Sequence, residues 1–131
     1  MTVLGLDPGT RKCGFALVAA IDVPPLRLGI VPLGELGEAL REILAVTPAD
    51  VAAVGRGTNA DEVCRIVREA GLAVALVDEY ETTLRARARY FEDHPPRGLR
   101  RLIPRGMLLP DRPIDDYAAL LIAERFLRGV A

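Results

Sequence analysis

The chain begins with two short apolar runs separated by a tight polar turn, VLGLDPGTRKCGFALV at 3–18. Pro-Gly is a strong turn-forming pair, and the flanking runs have the length and apolar content of β-strands. The segment therefore predicts a hairpin of strands at 2–7 and 13–20. Asp7 stands where the first strand ends, so it either shapes the turn or holds a ligand.

Short apolar runs and helical spacing of apolar residues predict the later elements. They are a strand at 26–33, a helix at 35–46, a strand at 51–55, a helix at 59–70, a strand at 72–77, a helix at 82–91, a loop at 93–112 and a helix at 113–128. The hairpin indicates antiparallel pairing, and the later alternation indicates parallel strands. We expect an α/β fold over 1–131, a single domain with a mixed five-stranded sheet and helices on both faces.

Two of these elements carry more specific predictions. Asn59 and Glu62 have the spacing of a capping box, which predicts that the Asn59 side chain caps the second helix. The nearly continuous apolar run at 72–77 is typical of a strand that is covered on both faces.

The composition excludes several classes of protein. Half of the 131 residues are hydrophobic and 27% are charged, as in ordinary globular domains. No run is long enough to span a bilayer, and the first residues lack a signal-peptide pattern, so we expect a cytoplasmic protein without a membrane partner. Cys13 and Cys64 form no C-x-x-C pair, and His94 is the single histidine, so we expect reduced, buried thiols rather than a zinc site.

Positive charge is concentrated late in the chain, although the formal net charge is −1. Between 85 and 112 there are eight arginines and three acids, a local surplus of five positive charges. Such a segment indicates a surface that contacts phosphates, or else an ordinary solvated helix face and loop. The loop at 93–112 is too long for a simple connector, so we expect it to be functional or mobile.

Three acids occupy comparable places in this predicted fold. Asp7 ends the first strand, Glu79 follows the last strand, and Asp115 lies in the first turn of the last helix. Each has an ordinary explanation alone: a turn, a surface acid, or a complement to the helix dipole, which Asp116 could also supply. Ligands bind at the carboxyl edge of such sheets, and converging carboxylates repel one another unless a cation neutralises them. The set therefore predicts a site for Mg²⁺ or Mn²⁺, where two ions could support phosphodiester hydrolysis.

Three segments, in this order, resemble the YqgF-type, Holliday-junction-resolvase-like nucleases of the RNase H-like superfamily: VLGLDPGTRKCGFALV, VALVDEYETTLRARARYF and IDDYAALLIAERFL. The resemblance implies an RNase H-like fold and metal-dependent phosphodiester hydrolysis, with Asp7, Glu79 and Asp115 as catalytic residues and metal ligands. It implies a nucleic-acid partner, with processing of ribosomal RNA precursors as the first expectation and cleavage of Holliday junctions or other branched DNA as the second. The protein would act as a monomer or a homodimer. Substrate contacts are expected from Arg11, Lys12, Thr82, Arg97, Arg100, Arg101 and Arg105.

The sequence also departs from that family. Tyr80 stands where the family has arginine, and the Gly-Arg-Gly-Thr-Asn loop at 55–59 lacks the family's proline. The Asp-Pro-Gly turn is closer to the RuvC-type resolvases. These departures leave open a catalytically silent module that binds nucleic acid without cleaving it. Actin-type and Hsp70-type ATPases share the opening motif, but they need two such domains and this chain has no G-x-x-x-x-G-K-[ST] loop, so we expect no nucleotide-dependent phosphotransfer.

Overall fold

A computed structural model describes residues 1–78, 82–104, 109–110 and 112–130 of the chain, without the side chains of residues 82, 83 and 130. The strands are β1 (Val3–Pro8), β2 (Lys12–Val18), β3 (Arg27–Pro32), β4 (Val51–Gly55) and β5 (Val74–Val77). The helices are α1 (Leu36–Val46), α2 (Ala60–Glu69), α3 (Thr82–Asp93) and α4 (Asp115–Val130), with 3₁₀ turns at Leu33–Glu35 and Gly98–Leu102.

The five strands form one mixed sheet in the order β3-β2-β1-β4-β5. β1 is antiparallel to β2, and β2 is antiparallel to β3, whereas β4 and β5 continue the sheet in parallel with β1. The sheet and its pairing predicted from the sequence are therefore confirmed.

Two apolar layers cover the faces of the sheet. Alternate residues of β1 enter opposite layers, as a strand with a period of two requires: Leu4 and Leu6 pack against α1 and α2, and Val3 packs beneath α3 and α4. β1 is the central strand, and it is buried because helices cover both faces of the sheet. Asp7 is therefore held at the end of a well-packed strand.

Helix α4 lies unusually close to the sheet. A Cβ atom built on Gly5 of β1 would stand 2.1 Å from the carbonyl oxygen of Ala119, and one built on Gly14 of β2 would stand 2.0 Å from that of Asp115. The helix can approach this closely only because both strand positions are glycine.

Two local predictions are wrong. Asn59 precedes α2 with φ 63°, in the left-handed region, and its side chain makes no capping hydrogen bond, because it bonds to the β1–β2 turn instead. β5 is an edge strand whose two faces are only partly covered, and Leu76 is 44% exposed. The run is apolar because Val74 packs against the layer beneath α1 and α2 and Val77 lies in the layer beneath α3 and α4.

Three further observations concern the predictions from composition. Cys13 and Cys64 are both free and buried, as expected. Among the described residues, no helix has the length and apolar character needed to cross a membrane. The segment after α3 contains the 3₁₀ turn Gly98–Leu102, so this part of the predicted loop has local helical structure.

Candidate functional site

Strand register brings the predicted acids to one edge of the sheet. Leu6 of β1 pairs with Val54 of β4, and the next β4 residue, Gly55, pairs with Val77 of β5. The carboxyl ends of these three parallel strands therefore lie side by side. Asp7 follows Leu6 at this edge, and Glu79 is two positions beyond Val77 but lies outside the described residues.

The first turn of α4 reaches the same edge. Asp7 is paired across the hairpin with Gly14, and the backbone of Asp115 is packed directly on Gly14. Asp7 also shares a sheet face with Gly5, which lies two residues earlier and is covered by α4. The glycines thus place the N-terminal turn of α4, with Asp115 as its first residue, next to the end of β1.

Asp115 has an unusual polar environment. Its carboxylate forms an ion pair with Lys12, whose Nζ atom lies 3.0 Å from the Asp115 Oδ2 atom. Within the described part of the chain, that Oδ2 atom is shielded from solvent and has no hydrogen-bond partner besides this ion pair. A solvent-shielded carboxylate oxygen whose partner is a single, partly exposed ammonium group has the character of a ligand for a cation.

The Cys13 thiol lies within electrostatic range of both carboxylates. Burial, followed by the negative charges of Asp7 and Asp115, raises the pKa of Cys13 to about 12, although the nearby Asp7 backbone opposes the shift. One side chain therefore senses both acids. The thiol therefore stays protonated near neutral pH.

Asp116 has a different role from its neighbour. It is 5% exposed, and its Oδ1 atom accepts a hydrogen bond from the Tyr117 amide at 2.9 Å. Arg112 donates to both of its carboxylate oxygens, at 3.3 and 3.4 Å. These bonds hold the Asp116 carboxylate at the start of α4. Asp115 is the acid of this pair that contacts the hairpin.

Asn59 fixes the turn that carries Lys12. Its Nδ2 donates to the carbonyl oxygens of Gly9 and Thr10, at 3.0 and 3.4 Å. The Gly9 amide in turn donates to the Lys12 carbonyl oxygen at 3.0 Å. The start of α2 thereby holds the β1–β2 turn beside the carboxylates.

The donor set fits a hard divalent cation at this edge. The described residues contain no group of three or more His, Cys, Asp or Glu side chains close enough to hold a metal ion. They do contain Asp7 and Asp115 at adjoining places, and Glu79, outside the described residues, follows β5 in the sequence, with β4 between β5 and β1. Carboxylate oxygens of this kind are the ligands that Mg²⁺ and Mn²⁺ prefer.

The predicted substrate-contacting residues fall into two groups. Arg11 and Lys12 lie in the β1–β2 turn, and Lys12 contacts Asp115. Arg97, Arg100 and Arg101 lie at or within the 3₁₀ turn after α3, where Arg100 donates to the Leu109 carbonyl and Arg101 Nε donates to that of Gly98 at 3.3 Å. The Thr82 side chain and Arg105 lie outside the described part of the chain.

The second group of arginines is near the start of α4. The start of α4 lies beside the end of α3, because the Tyr117 hydroxyl donates to Asp93 Oδ2 at 2.8 Å. The two helices therefore run antiparallel. The residues that follow α3 are therefore on the same side of the molecule as Asp115.

Sequence reasoning missed three contacts at this site: Lys12 with Asp115, Asn59 with the turn, and Arg112 with Asp116. Only the third had a signal in the sequence, since Arg112 and Asp116 have the i,i+4 spacing of a local ion pair at a helix start. Asn59 and the turn are fifty positions apart, so no local pattern reports their contact.

The element order, the mixed sheet and the close packing of the last helix on the first hairpin define an RNase H-like fold. Among solved structures, the chain is similar to Thermus thermophilus RuvC in complex with a Holliday junction substrate, with a TM-score of 0.62, 21% identity, and coverage of 100% of this chain and 97% of that one. A second Thermus thermophilus RuvC structure has a TM-score of 0.59 and 20% identity over 95% of this chain and 91% of that one. No protein-family model matches the chain, and neither does any curated protein.

Proposed function

We propose that this protein is a nuclease dependent on Mg²⁺ or Mn²⁺ that hydrolyses phosphodiester bonds of branched nucleic acid, with a four-way DNA junction as the first substrate to test. The observation that carries the proposal is the packing of α4 on Gly14, which brings Asp115 to the strand end that holds Asp7. The similarity of the fold to RuvC bound to a Holliday junction supports the choice of substrate.

The proposed site consists of Asp7, Glu79 and Asp115 as both metal ligands and catalytic residues. When bound, the metal would activate water as a nucleophile and neutralise charge that develops at the phosphate. Asp7 and Asp115 provide the converging negative charge that attracts the cation. Before a metal ion binds, Lys12 balances the charge of Asp115. The hairpin and α4 hold the two carboxylates in place, so that the site needs no rearrangement to bind the metal.

The arginines around the 3₁₀ turn, together with Arg11, would hold the phosphate backbone. Contacts of this type fix the position of a nucleic acid and carry little sequence information. They suit an enzyme that recognises the shape of a branched substrate. A symmetric junction has two equivalent strands to cut, so two sites related by the symmetry of a homodimer would match it.

A panel of end-labelled substrates tests the proposal: a four-way DNA junction, a DNA duplex, a DNA single strand and a structured RNA, each with Mg²⁺ and with Mn²⁺. We expect metal-dependent cleavage of the junction and no cleavage in EDTA. Sizing of the protein with and without the junction distinguishes a monomer from a homodimer. Binding without cleavage of every substrate in both metals would instead identify the silent module.

Processing of ribosomal RNA precursors is the second candidate, and it rests on the resemblance of three segments to the YqgF-type nucleases. An RNA enzyme would use the 2′-hydroxyl group or a folded RNA shape. Faster cleavage of structured RNA than of the junction in the same panel would favour this function over the first.

Salt dependence tests the role of the arginines. Replacing Arg100 and Arg101 with alanine should weaken junction binding and flatten the dependence of the logarithm of affinity on the logarithm of salt concentration, by about one unit for each lost phosphate contact. Replacement of Arg125, an exposed arginine in the second half of α4, provides the control. An unchanged slope in the double variant would remove this segment from the substrate surface.

A further inference from the structure

We propose that the cavity behind the end of α3 binds one unpaired base of the nucleic acid together with its phosphate. The cavity, called here the base pocket, has a volume of about 310 Å³ and is lined by Tyr90, His94, Pro95, Pro96, Arg97 and Arg100, among others. The inference rests on the proposed function, because it identifies the feature of a branched substrate that the protein would recognise.

Stacked rings form one part of the base pocket. The His94 ring lies on Tyr90 with the ring centroids 4.5 Å apart and the planes 17° from parallel. The His94 Nδ1 atom is 3.2 Å from the Tyr90 carbonyl oxygen, which fixes the ring relative to the helix. Tyr117 packs edge-on against Tyr90, with centroids 5.6 Å apart, and holds that ring in turn.

The stack is rigid but open to solvent at its outer ring. Tyr90 is 5% exposed, whereas His94 is an exposed residue. An imidazole that is held in place on one side and accessible on another is a ready platform for a flat aromatic ligand, since stacking on a preordered ring loses little side-chain entropy. Pro95 and Pro96 add stiff apolar walls beside it.

Positive charge lies at the same cavity. Arg97 and Arg100 line it, and the Arg100 guanidinium donates to the Leu109 carbonyl oxygen, which is a neutral acceptor. Asp93 also lines the cavity, but its carboxylate accepts the hydroxyl hydrogen of Tyr117 at 2.8 Å. An aromatic platform next to two guanidinium groups matches a base that is joined to a phosphate.

The size of the cavity selects an unpaired base. It is at the lower end of the range for ligand pockets, so it admits one base and excludes a base pair. Bases within a duplex are stacked on both faces and cannot reach the His94 ring. Bases at a branch point or bulge are unstacked at low cost, and this would give the protein a preference for irregular nucleic acid.

The base pocket is close enough to the carboxylates to act on the same strand. Tyr117, which is hydrogen-bonded to Asp93 at the pocket, is two residues from Asp115 on α4. A base held there would place a nearby phosphate of its strand towards the carboxyl edge of the sheet.

Fluorescence of 2-aminopurine provides a direct test in the Asp7→Asn protein with Mg²⁺, which separates binding from cleavage. The probes are a DNA duplex with one unpaired 2-aminopurine and the same duplex fully paired. We expect the protein to quench the unpaired base and to bind that probe more tightly. His94→Ala should weaken binding of the unpaired probe about tenfold and leave the paired duplex unchanged within twofold.

Two further variants sharpen the test. His94→Phe keeps a stacking ring and should retain the preference, and Arg97→Ala should weaken binding of the unpaired probe while Arg125→Ala changes neither probe. The base pocket would be overturned if the Asp7→Asn protein with His94 intact did not quench the unpaired base. It would also be overturned if His94→Ala weakened binding of both probes equally, even if the enzyme cleaves junctions. Quenching and selectivity, combined with no cleavage of any substrate by the unmodified protein, would support the pocket and reject the nuclease.

Discussion

Gly14 determines how close the two described acids of the site can be. Its missing side chain lets the Asp115 backbone pack on β2 opposite Asp7. The atoms that a Cβ would meet belong to the backbone, which cannot rotate away as a flexible side chain could. A methyl group at position 14 must therefore move the start of α4.

Gly14→Ala should lower the free energy of unfolding by about 1–3 kcal/mol, the usual cost of overpacking, and should also weaken Mn²⁺ binding. Urea denaturation and calorimetric titration measure the two effects. Gly37→Ala in α1 is the matched control, because its nearest neighbour would be Ile66 Cγ2 at 3.8 Å, an ordinary contact. That control should gain about 0.5–1 kcal/mol from helix propensity. Equal effects of the two substitutions would contradict the close-packing account.

Lys12 is the second residue with a consequence for the site. Its ammonium group is 3.0 Å from the carboxylate oxygen that a cation would use, so a metal ion and Lys12 compete for Asp115. Both side chains are partly exposed, at 46% and 33%, and the competition is therefore weakened by solvent.

Lys12→Met should tighten Mn²⁺ binding by about two- to fivefold, in line with the contribution of up to about 1 kcal/mol from an exposed ion pair. The affinity is measured by calorimetric titration in the absence of nucleic acid. Arg11→Met removes the same charge one residue away and should have a smaller effect. Weaker metal binding by Lys12→Met would show that Lys12 supports the cation rather than competing with it.

At the scale of elements, α3 is joined to α4 by a buried ion pair. Arg89 donates to both carboxylate oxygens of Glu124, at 2.9 and 3.3 Å, and Glu124 is fully buried. The hydrogen bonds to Glu124 raise the pKa of the Arg89 guanidinium, which therefore stays charged. Glu124 Oε2 also accepts from the Asp22 amide at 3.2 Å, which ties the β2–β3 connection to the same helix.

Glu124→Ala should lower the free energy of unfolding by about 3 kcal/mol, since it leaves a mostly buried guanidinium without its partner. Urea denaturation measures the loss. Glu92→Ala is the control, because Glu92 lies 4.0 Å from Arg89 and is 71% exposed, and it should change stability by less than about 0.5 kcal/mol. Replacing Arg89 and Glu124 together with methionine and leucine should recover most of the loss. A small effect of Glu124→Ala alone would show that the pair does not join the helices.

The elements also show why some local predictions were correct and others were wrong. The helical spacing of Leu36, Leu40 and Ile43 is read directly from the sequence, and all three are buried in the structure. The spacing of Asn59 and Glu62 matched a capping box equally well. The Asn59 side chain instead donates a hydrogen bond to the β1–β2 turn, fifty positions earlier in the chain. Long-range hydrogen bonds of this kind leave no periodic signal, and neither does the ion pair of Glu124.

At the scale of the whole molecule, the topology was predictable because the hairpin and the later β/α alternation allow few arrangements. The place of Asp7 at the carboxyl edge of the sheet was predictable for the same reason, since strand order determines which strand ends share an edge. The close approach of α4 to the sheet was not predictable, because it depends on Gly5 and Gly14. In the sequence these glycines indicate only weak strand formation. The base pocket was also invisible, as it is formed by the end of one helix and the turn after it.

The central claim is that the carboxylate edge of the sheet is a metal-dependent phosphodiesterase centre. Cleavage of an end-labelled four-way junction in Mn²⁺ tests it most directly, with Asp7→Asn, Asp115→Asn and the control Asp61→Asn, which changes an exposed acid in the first turn of α2. The account predicts cleavage by the unmodified protein and by Asp61→Asn, and none above background by Asp7→Asn or Asp115→Asn, although both still bind the junction. Cleavage by Asp7→Asn at the rate of the unmodified protein would contradict it.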